Sequence, residues 1–306
     1  MYIGDKLKQW GSSFEETINA SLNSAISQFS ERKFNIILLG ASGSGKTTLK
    51  QCMMNELENV LGKNYVPSGA DSFALKTDRS KITVEFYDYP GSMLNAKDDK
   101  DISTLQSSAN ESTVFIITLS SPYFMESEGQ FTGKINARKI QQVIKSSMPK
   151  DNSGRFYIFV PVQCEKYTQY TEDEAKRLNS EVVLVFSEII ESLSLHNSMG
   201  KRFSAAVVPV ETIGNVRFDH FDFSPWGSVL RNVYVRDRES ESAQRNADQL
   251  LKLSLLFILN EFMQGSGIIE NALVSSYMKE LFSDIRHETD LYSFDILFGL
   301  DYITGA

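Results

Sequence analysis

The residues with the clearest chemical promise are Gly40-Ala41-Ser42-Gly43-Ser44-Gly45-Lys46-Thr47, followed by Thr48. They fit the spacing G-x-x-x-x-G-K-[ST], in which glycines let the backbone curl so that successive N–H groups point inward at phosphate oxygens. The start of a following helix adds partial positive charge. Lys46 can reach the β- and γ-phosphates of a nucleotide, and the Thr47 hydroxyl can ligate Mg2+. Further along comes Asp88-Tyr89-Pro90-Gly91. A carboxylate at a strand tip near such a loop can hold Mg2+, directly or through a water. Gly91 leaves an N–H free to approach a γ-phosphate. Lys46, Asp88 and Gly91 are therefore the candidate catalytic groups, and Thr47 and Asp88 the candidate metal ligands.

Elements of the right kind flank these residues. Phe34 to Leu39 is a continuous apolar block, as suits a strand buried on both faces. Residues 46–61 carry Leu49, Met53, Leu57 and Leu61 at helical spacing. Residues 72–77 and 81–87 predict a hairpin turning at Asp78-Arg79-Ser80. Three further buried-strand blocks, 113–119, 156–162 and 205–210, are separated by helices expected at about 133–147 and 171–195. Strands alternating with helices predict an α/β fold with a mostly parallel sheet, one antiparallel hairpin strand and helices on both faces. Extra helices are expected at both ends. Residues 12–31 show an amphipathic period through Phe14, Ile18, Leu22 and Ile26, with Ser13 and Glu16 as a capping box. Residues 216–223 and 229–235 alternate like an edge hairpin, and helices are expected near 246–264 and 267–286. The expected organisation is 1–33, 34–215 and 216–306.

Composition excludes several classes. With 42% hydrophobic and 23% charged residues, the 306-residue chain has ample material for a core, which rules out wholesale disorder. A net charge of -8 argues against nucleic acid as a partner, because phosphate backbones demand clustered Lys and Arg. No apolar run reaches the length needed to span a bilayer, and no membrane partner is expected. The start of the chain lacks the pattern of a secretory signal. Two cysteines, Cys52 and Cys164, build neither a disulfide framework nor a zinc cage. A cytoplasmic home is expected. His196, His220 and His287 are scattered, with no metal-site spacing.

The pair GASGSGKT and DYPG resembles the P-loop GTPases of the translation-factor and Ras-like class, and the intervening hairpin resembles that class as well. The resemblance covers about residues 34–215. More narrowly, Val160 to Tyr167 and Val208 to Gly214 resemble segments of bacterial double-GTPase proteins, which work in pairs. The resemblance implies a P-loop fold, a guanine nucleotide as ligand and Mg2+ as cofactor. It also implies a protein partner: a second GTPase-like subunit, an effector or a second copy of the chain. The class carries N-K-x-D or T-K-x-D after the strand that here spans 156–162, to read the base. This chain has Val162-Gln163-Cys164-Glu165. Glu165 supplies a carboxylate one methylene longer than the aspartate, Gln163 can lay its stem along the base, and Val162 cannot replace the asparagine. Glu211 and Thr212 fall where the class has its second base-contacting loop. The switch hydroxyl that completes the Mg2+ shell has Ser68, Ser72 or Thr77 as candidates. Ser92 and Met93 stand where Ras-like enzymes orient water with a glutamine.

The expected function is GTP binding with slow, Mg2+-dependent hydrolysis, serving as a switch or assembly regulator. The alternatives are a P-loop ATPase or kinase, and a non-hydrolysing protein that holds nucleotide for interaction. The scattered arginines count against a kinase with an Arg-rich lid.

Overall fold

The computed structural model describes residues 30–96, 98–168, 172–213, 216–226, 229–236, 245–265 and 294–300, with Glu16, Asn19, Lys279, Phe282 and Ile285. Its strands are β1 (Ser30–Leu39), β2 (Tyr65–Gly69), β3 (Ser72–Lys76), β4 (Ser80–Asp88), β5 (Val114–Ser120), β6 (Arg155–Val162), β7 (Phe203–Val207), β8 (Val216–Phe223), β9 (Val229–Arg236) and β10 (Asp295–Phe298). Among the described residues, eight of them form one sheet in the order β10-β7-β6-β5-β1-β4-β3-β2. The inner strands β7, β6, β5, β1 and β4 are parallel, and β2, β3 and β10 join antiparallel. The fold is thus α/β with a mostly parallel mixed sheet. β4 and β5 pair on opposite sides of β1. The strand order therefore reverses at β1, and such a reversal opens a crevice beyond the strands' carboxyl ends.

Period-two alternation fills both faces of β1. Ile36 and Leu38 join one core with Leu49, Leu57, Phe257 and Phe262. Ile37 and Leu39 join the other with Leu105, Ile140 and Phe186. The first face is covered by α1 (Lys46–Asn55), α2 (Leu57–Leu61) and a later helix, Ala247–Gly265. The second is covered by α3 (Asp99–Glu111), α4 (Ala137–Ser146), α5 (Glu172–Val185) and α6 (Ser187–Ser198). The Ala247–Gly265 helix, α7, is apolar nearly all round because it is buried deeply, with Leu250, Leu251, Leu256 and Phe262 inaccessible. Among the described residues no helix is long and apolar enough to cross a membrane.

Several elements differ from the sequence expectation. β1 starts at Ser30, four residues before the apolar block, because its first half pairs with β4 alone and leaves one side half-exposed. The expected helix over 12–31 thus loses its last two residues to the strand; Glu16 and Asn19 are helical, and the rest lies outside the described residues. The 46–61 helix breaks at Glu56 and the 171–195 helix at Phe186. The fourth block pairs as β7 only to Val207, and Val210 adds a single bridge to Val162. β2, which extends the hairpin into a three-stranded edge, α3, whose apolar face is thin, and β10 carry no clear sequence signal. β8 and β9 pair with each other as a separate two-stranded sheet rather than on an edge. The C-terminal region returns β10 to the main sheet. Of the expected 267–286 helix, Lys279, Phe282 and Ile285 are helical.

Candidate functional site

The glycine-rich loop leaves the central strand β1 and enters α1. Gly43 and Gly45 take φ of 75° and 86°, left-handed values that side chains resist. Gly40 has no room for a side chain, since a Cβ there would lie 2.3 Å from Thr118 Oγ1 and 2.7 Å from the Thr118 carbonyl. That hydroxyl donates to the Leu39 carbonyl at 3.0 Å, so Ser44 Oγ, 2.9 Å away, donates to it. Strand β5 thereby braces the loop from beside. Gly45 starts α1 without a side-chain cap. The amides of Lys46, Thr47 and Thr48 fall in its first turn, where no intrahelical acceptor exists. Ser42, Gly43, Thr47 and Thr48 face solvent around the mouth. Lys46 is buried inside the curl and donates to the Gly40 and Ala41 carbonyls at 3.0 and 2.9 Å. Burial pushes its ammonium pKa down, while Asp88 pulls it up. Glycines with left-handed φ, a helix start and a buried ammonium are the parts from which an anion cradle can be made.

Asp88 ends β4, the parallel neighbour of β1, and register places it beside Leu38. Thr47 Oγ1 donates to Asp88 Oδ2 at 2.8 Å. A hydroxyl beside a carboxylate is an oxygen donor set that fits a hard cation such as Mg2+. Among the described residues no cluster of three or more His, Cys, Asp or Glu could hold a metal by itself. Beyond Asp88 the chain turns back onto the loop. A Cβ on Gly91 would lie 2.2 Å from the Ser42 nitrogen and 2.3 Å from the Ala41 carbonyl carbon. Gly91 therefore touches the loop backbone in a way only glycine permits, and its short 3-10 turn runs on to Asn95 through Ser92 and Met93.

The switch-hydroxyl candidates separate. Thr77 is buried in the β3–β4 turn, bonded to Ser80 at 2.8 Å, at the end of β4 remote from Asp88. It is removed from the site. Ser68 and Ser72 share a hydrogen bond of 3.1 Å across the β2–β3 turn. That turn contains Asp71, whose carboxylate takes Lys50 Nζ at 2.6 Å. Lys50 also lies 3.6 Å from Asp88. It was not legible as a site residue, because its acceptors come from a turn and a strand far along the chain.

The far end of the crevice is built from the loops after β6 and β7. Val162 packs beside the glycine-rich loop, its Cγ2 3.4 Å from where a Gly45 Cβ would stand. Gln163 has φ 57° and turns its amide to Ser120 Oγ and Asn232 Nδ2, with the latter contact at 3.4 Å. The amide is thus tethered to β5 and the β8–β9 hairpin. Glu165 begins a single helical turn, Glu165–Thr168, and is 2% exposed. Its Oε1 has no hydrogen-bond partner. Burial, with nearby Glu211, raises its pKa to about 7, although the N–H groups of Glu165 and Ile213 offset part of the cost. Glu211 is also buried, 2.7 Å from Thr168 Oγ1 and 3.8 Å from Arg245 Nε. Thr212 is buried next to it, its carbonyl facing Cys52 Sγ. Cys164 is fully buried and its thiol pKa is pushed well up, as befits a filler and not a nucleophile.

No protein family matches this sequence, and no curated protein matches it either. A cavity of about 350 Å³, lined by Arg202, Phe257 and Glu261 among others, lies at the amino-terminal end of β7. It shares no residue with the crevice.

Proposed function

We propose that this chain is a P-loop GTPase: it binds GTP with Mg2+, hydrolyses it slowly, and serves as a cytoplasmic switch or assembly regulator with a protein partner. The observation that carries the reading is the convergence at β1 and β4. The amide-lined loop, the buried Lys46, the Thr47–Asp88 contact and the Gly91 turn meet at the point where strand order reverses. Phosphoryl transfer to water asks for phosphate cradling, a metal and an aligned water, with little covalent chemistry from the protein. Residues 40–48 supply the cradle. Lys46, now held by two carbonyls, is placed to exchange them for phosphate oxygens. Thr47 and Asp88 would hold Mg2+, which supplies neutralisation of charge on the β- and γ-phosphates. Gly91 rests on Ala41 and Ser42, so a terminal phosphate entering the loop meets the Asp88–Gly91 turn at once. That contact is what would make the turn a sensor. Ser92 and Met93 stand where a glutamine would align water, which supports slow turnover.

The base reading rests on Glu165. A buried carboxylate oxygen without a donor is costly. Guanine brings two donors on one edge, whereas adenine brings an acceptor at the matching ring nitrogen. Val162 in place of an asparagine, and the tethered Gln163, favour ATP as the second reading, because they remove two of the usual guanine contacts. Calorimetric titration of the purified chain with GTP and with ATP, each with Mg2+, separates the two. Saturable binding with GTP tighter is expected. A chain that binds neither nucleotide overturns the whole reading, and tighter ATP overturns its guanine part.

A further inference from the structure

Lys50 is the charged residue near the crevice that this reading leaves unused. It sits one helical turn beyond Lys46 on α1, so both side chains leave the same face toward the tip of β4. Its Nζ lies 2.6 Å from Asp71 Oδ1 and 3.6 Å from Asp88 Oδ2, the oxygen that also takes the Thr47 hydroxyl. The Lys50 and Asp88 side chains are only 14% and 11% exposed, so their approach is shielded from solvent, whereas the Asp71 end of the bond faces it. Asp71 is fixed in turn, because its carbonyl accepts from the Phe86 N–H at 2.8 Å, two residues before Asp88. Lys46 and Lys50 thus oppose Asp71 and Asp88, and the four charges sum to zero by themselves.

We propose that Lys50 is a built-in counter-cation of Asp88, shared with Asp71, which lets the loop bind a nucleoside triphosphate with weak dependence on divalent metal. The proposal rests on the nucleotide-binding reading above and adds to it a specific electrostatic role. A triphosphate approaching the cradle without a metal meets Asp88 as a like charge. Lys50 cancels much of that repulsion and adds an attraction of its own, in a partly desolvated place where charges act strongly. A divalent cation gains less from Asp88 while an ammonium already occupies its field. Asp71 sets the balance, since it draws Lys50 toward the β2–β3 turn and away from Asp88.

The test is the ratio of GTP affinity in Mg2+ to that in EDTA, measured by competition with a fluorescent GTP analogue for wild type, Lys50→Met and Asp71→Asn. The wild-type ratio is expected to stay within about tenfold, and Lys50→Met to enlarge it at least about tenfold, chiefly by weakening binding in EDTA. Asp71→Asn should shrink it below wild type, since Lys50 then belongs to Asp88 alone. Opposite signs from two partners of one ion pair are not what a purely structural role produces. Asp71 is largely exposed, so its variant reports even if Lys50→Met does not fold. Binding with one common ratio in all three proteins overturns the role of Lys50 and leaves the nucleotide reading intact. No binding of GTP by wild type in Mg2+ overturns both.

Discussion

The two ends of the crevice are built differently. At the end proposed to take phosphate, one continuous loop supplies its own backbone, and its special residues are glycines and a lysine at fixed spacing. The groups there are satisfied: Lys46 has two carbonyls, Ser44 has Thr118 and Asp88 has Thr47. At the end proposed to take the base, several separate segments contribute the side chains, and two carboxylates are buried. Glu165 is buried with an oxygen unpartnered, and Glu211 is buried close by. A site formed by backbone geometry can be complete before its ligand arrives. A site formed by buried carboxylates carries a desolvation cost that a ligand's donors relieve.

The largest effect is expected at the satisfied end. Lys46→Ala removes a buried ammonium that would make charge-assisted bonds to phosphate, worth about 4 kcal/mol, or on the order of 1000-fold in affinity. The fold should survive the change, because the hydrogen bonds of the Lys46 ammonium go to the loop's own Gly40 and Ala41 carbonyls. Titration with GTP and Mg2+ checks the affinity, and circular dichroism checks the fold. A folded variant with unchanged affinity sinks the phosphate cradle.

Next comes the strained end, tested without ligand. A carboxyl held at about 7 in the fold, against an ordinary 4.5, takes up a proton on folding between those values. The folded chain then binds more protons than the unfolded one, so stability falls as pH rises through that window. The full loss is about 3 kcal/mol above pH 7. Glu165→Gln should therefore match wild type near pH 4 and become more stable than it by about that amount at pH 8. Urea unfolding of both proteins across the range reads the difference directly. Parallel curves would mean Glu165 pays no burial cost and the two ends do not differ as described.

The same contrast explains what was legible in the sequence. The loop, the Asp88 turn and the four buried strand blocks follow local rules: spacing, hydrophobic runs and turn chemistry. The hairpin over 72–87 was legible for the same reason. β2 was not, because Pro67 and Gly69 weaken any strand signal and its partner β3 supplies the pairing. α3 was not, because Asp98 caps it through a side-chain bond while few apolar residues mark its face. Lys50, Thr118 and Asn232 took their places only through tertiary contacts with distant segments. Gln163 was legible as a position but not as an orientation, since Ser120 and Asn232 decide where its amide points.

A third experiment sharpens the base end with ligand present. A charged pairing with the guanine edge is worth about 2 kcal/mol, or roughly 30-fold between GTP and ATP, because the asparagine contact is missing at Val162. Glu165→Ala should bring the two affinities close together and leave phosphate-driven binding in place. Competition of each nucleotide against a fluorescent GTP analogue gives both ratios. A variant that keeps its full GTP preference places the base elsewhere and makes the buried carboxylates a purely structural matter.

The smallest effect joins the two ends of the Asp88 turn. Asp88 accepts from Thr47 and lies near Lys50, so its charge is shared before any metal or nucleotide acts on it. Asp88→Asn keeps the shape of the side chain and removes the charge. Diphosphate reaches the amides of the loop, which the substitution leaves alone. Triphosphate adds the group that meets Gly91 and the metal that Asp88 helps to hold, so it alone loses a contact. The expected outcome in Mg2+ is a loss of about tenfold for triphosphate beyond that for diphosphate, modest because the neighbouring lysines already offset the lost carboxylate. Paired titrations with GTP and GDP measure it. Equal losses for both nucleotides would make Asp88 a fixed turn residue, and Gly91 would then rest on the loop as packing and not as a sensor.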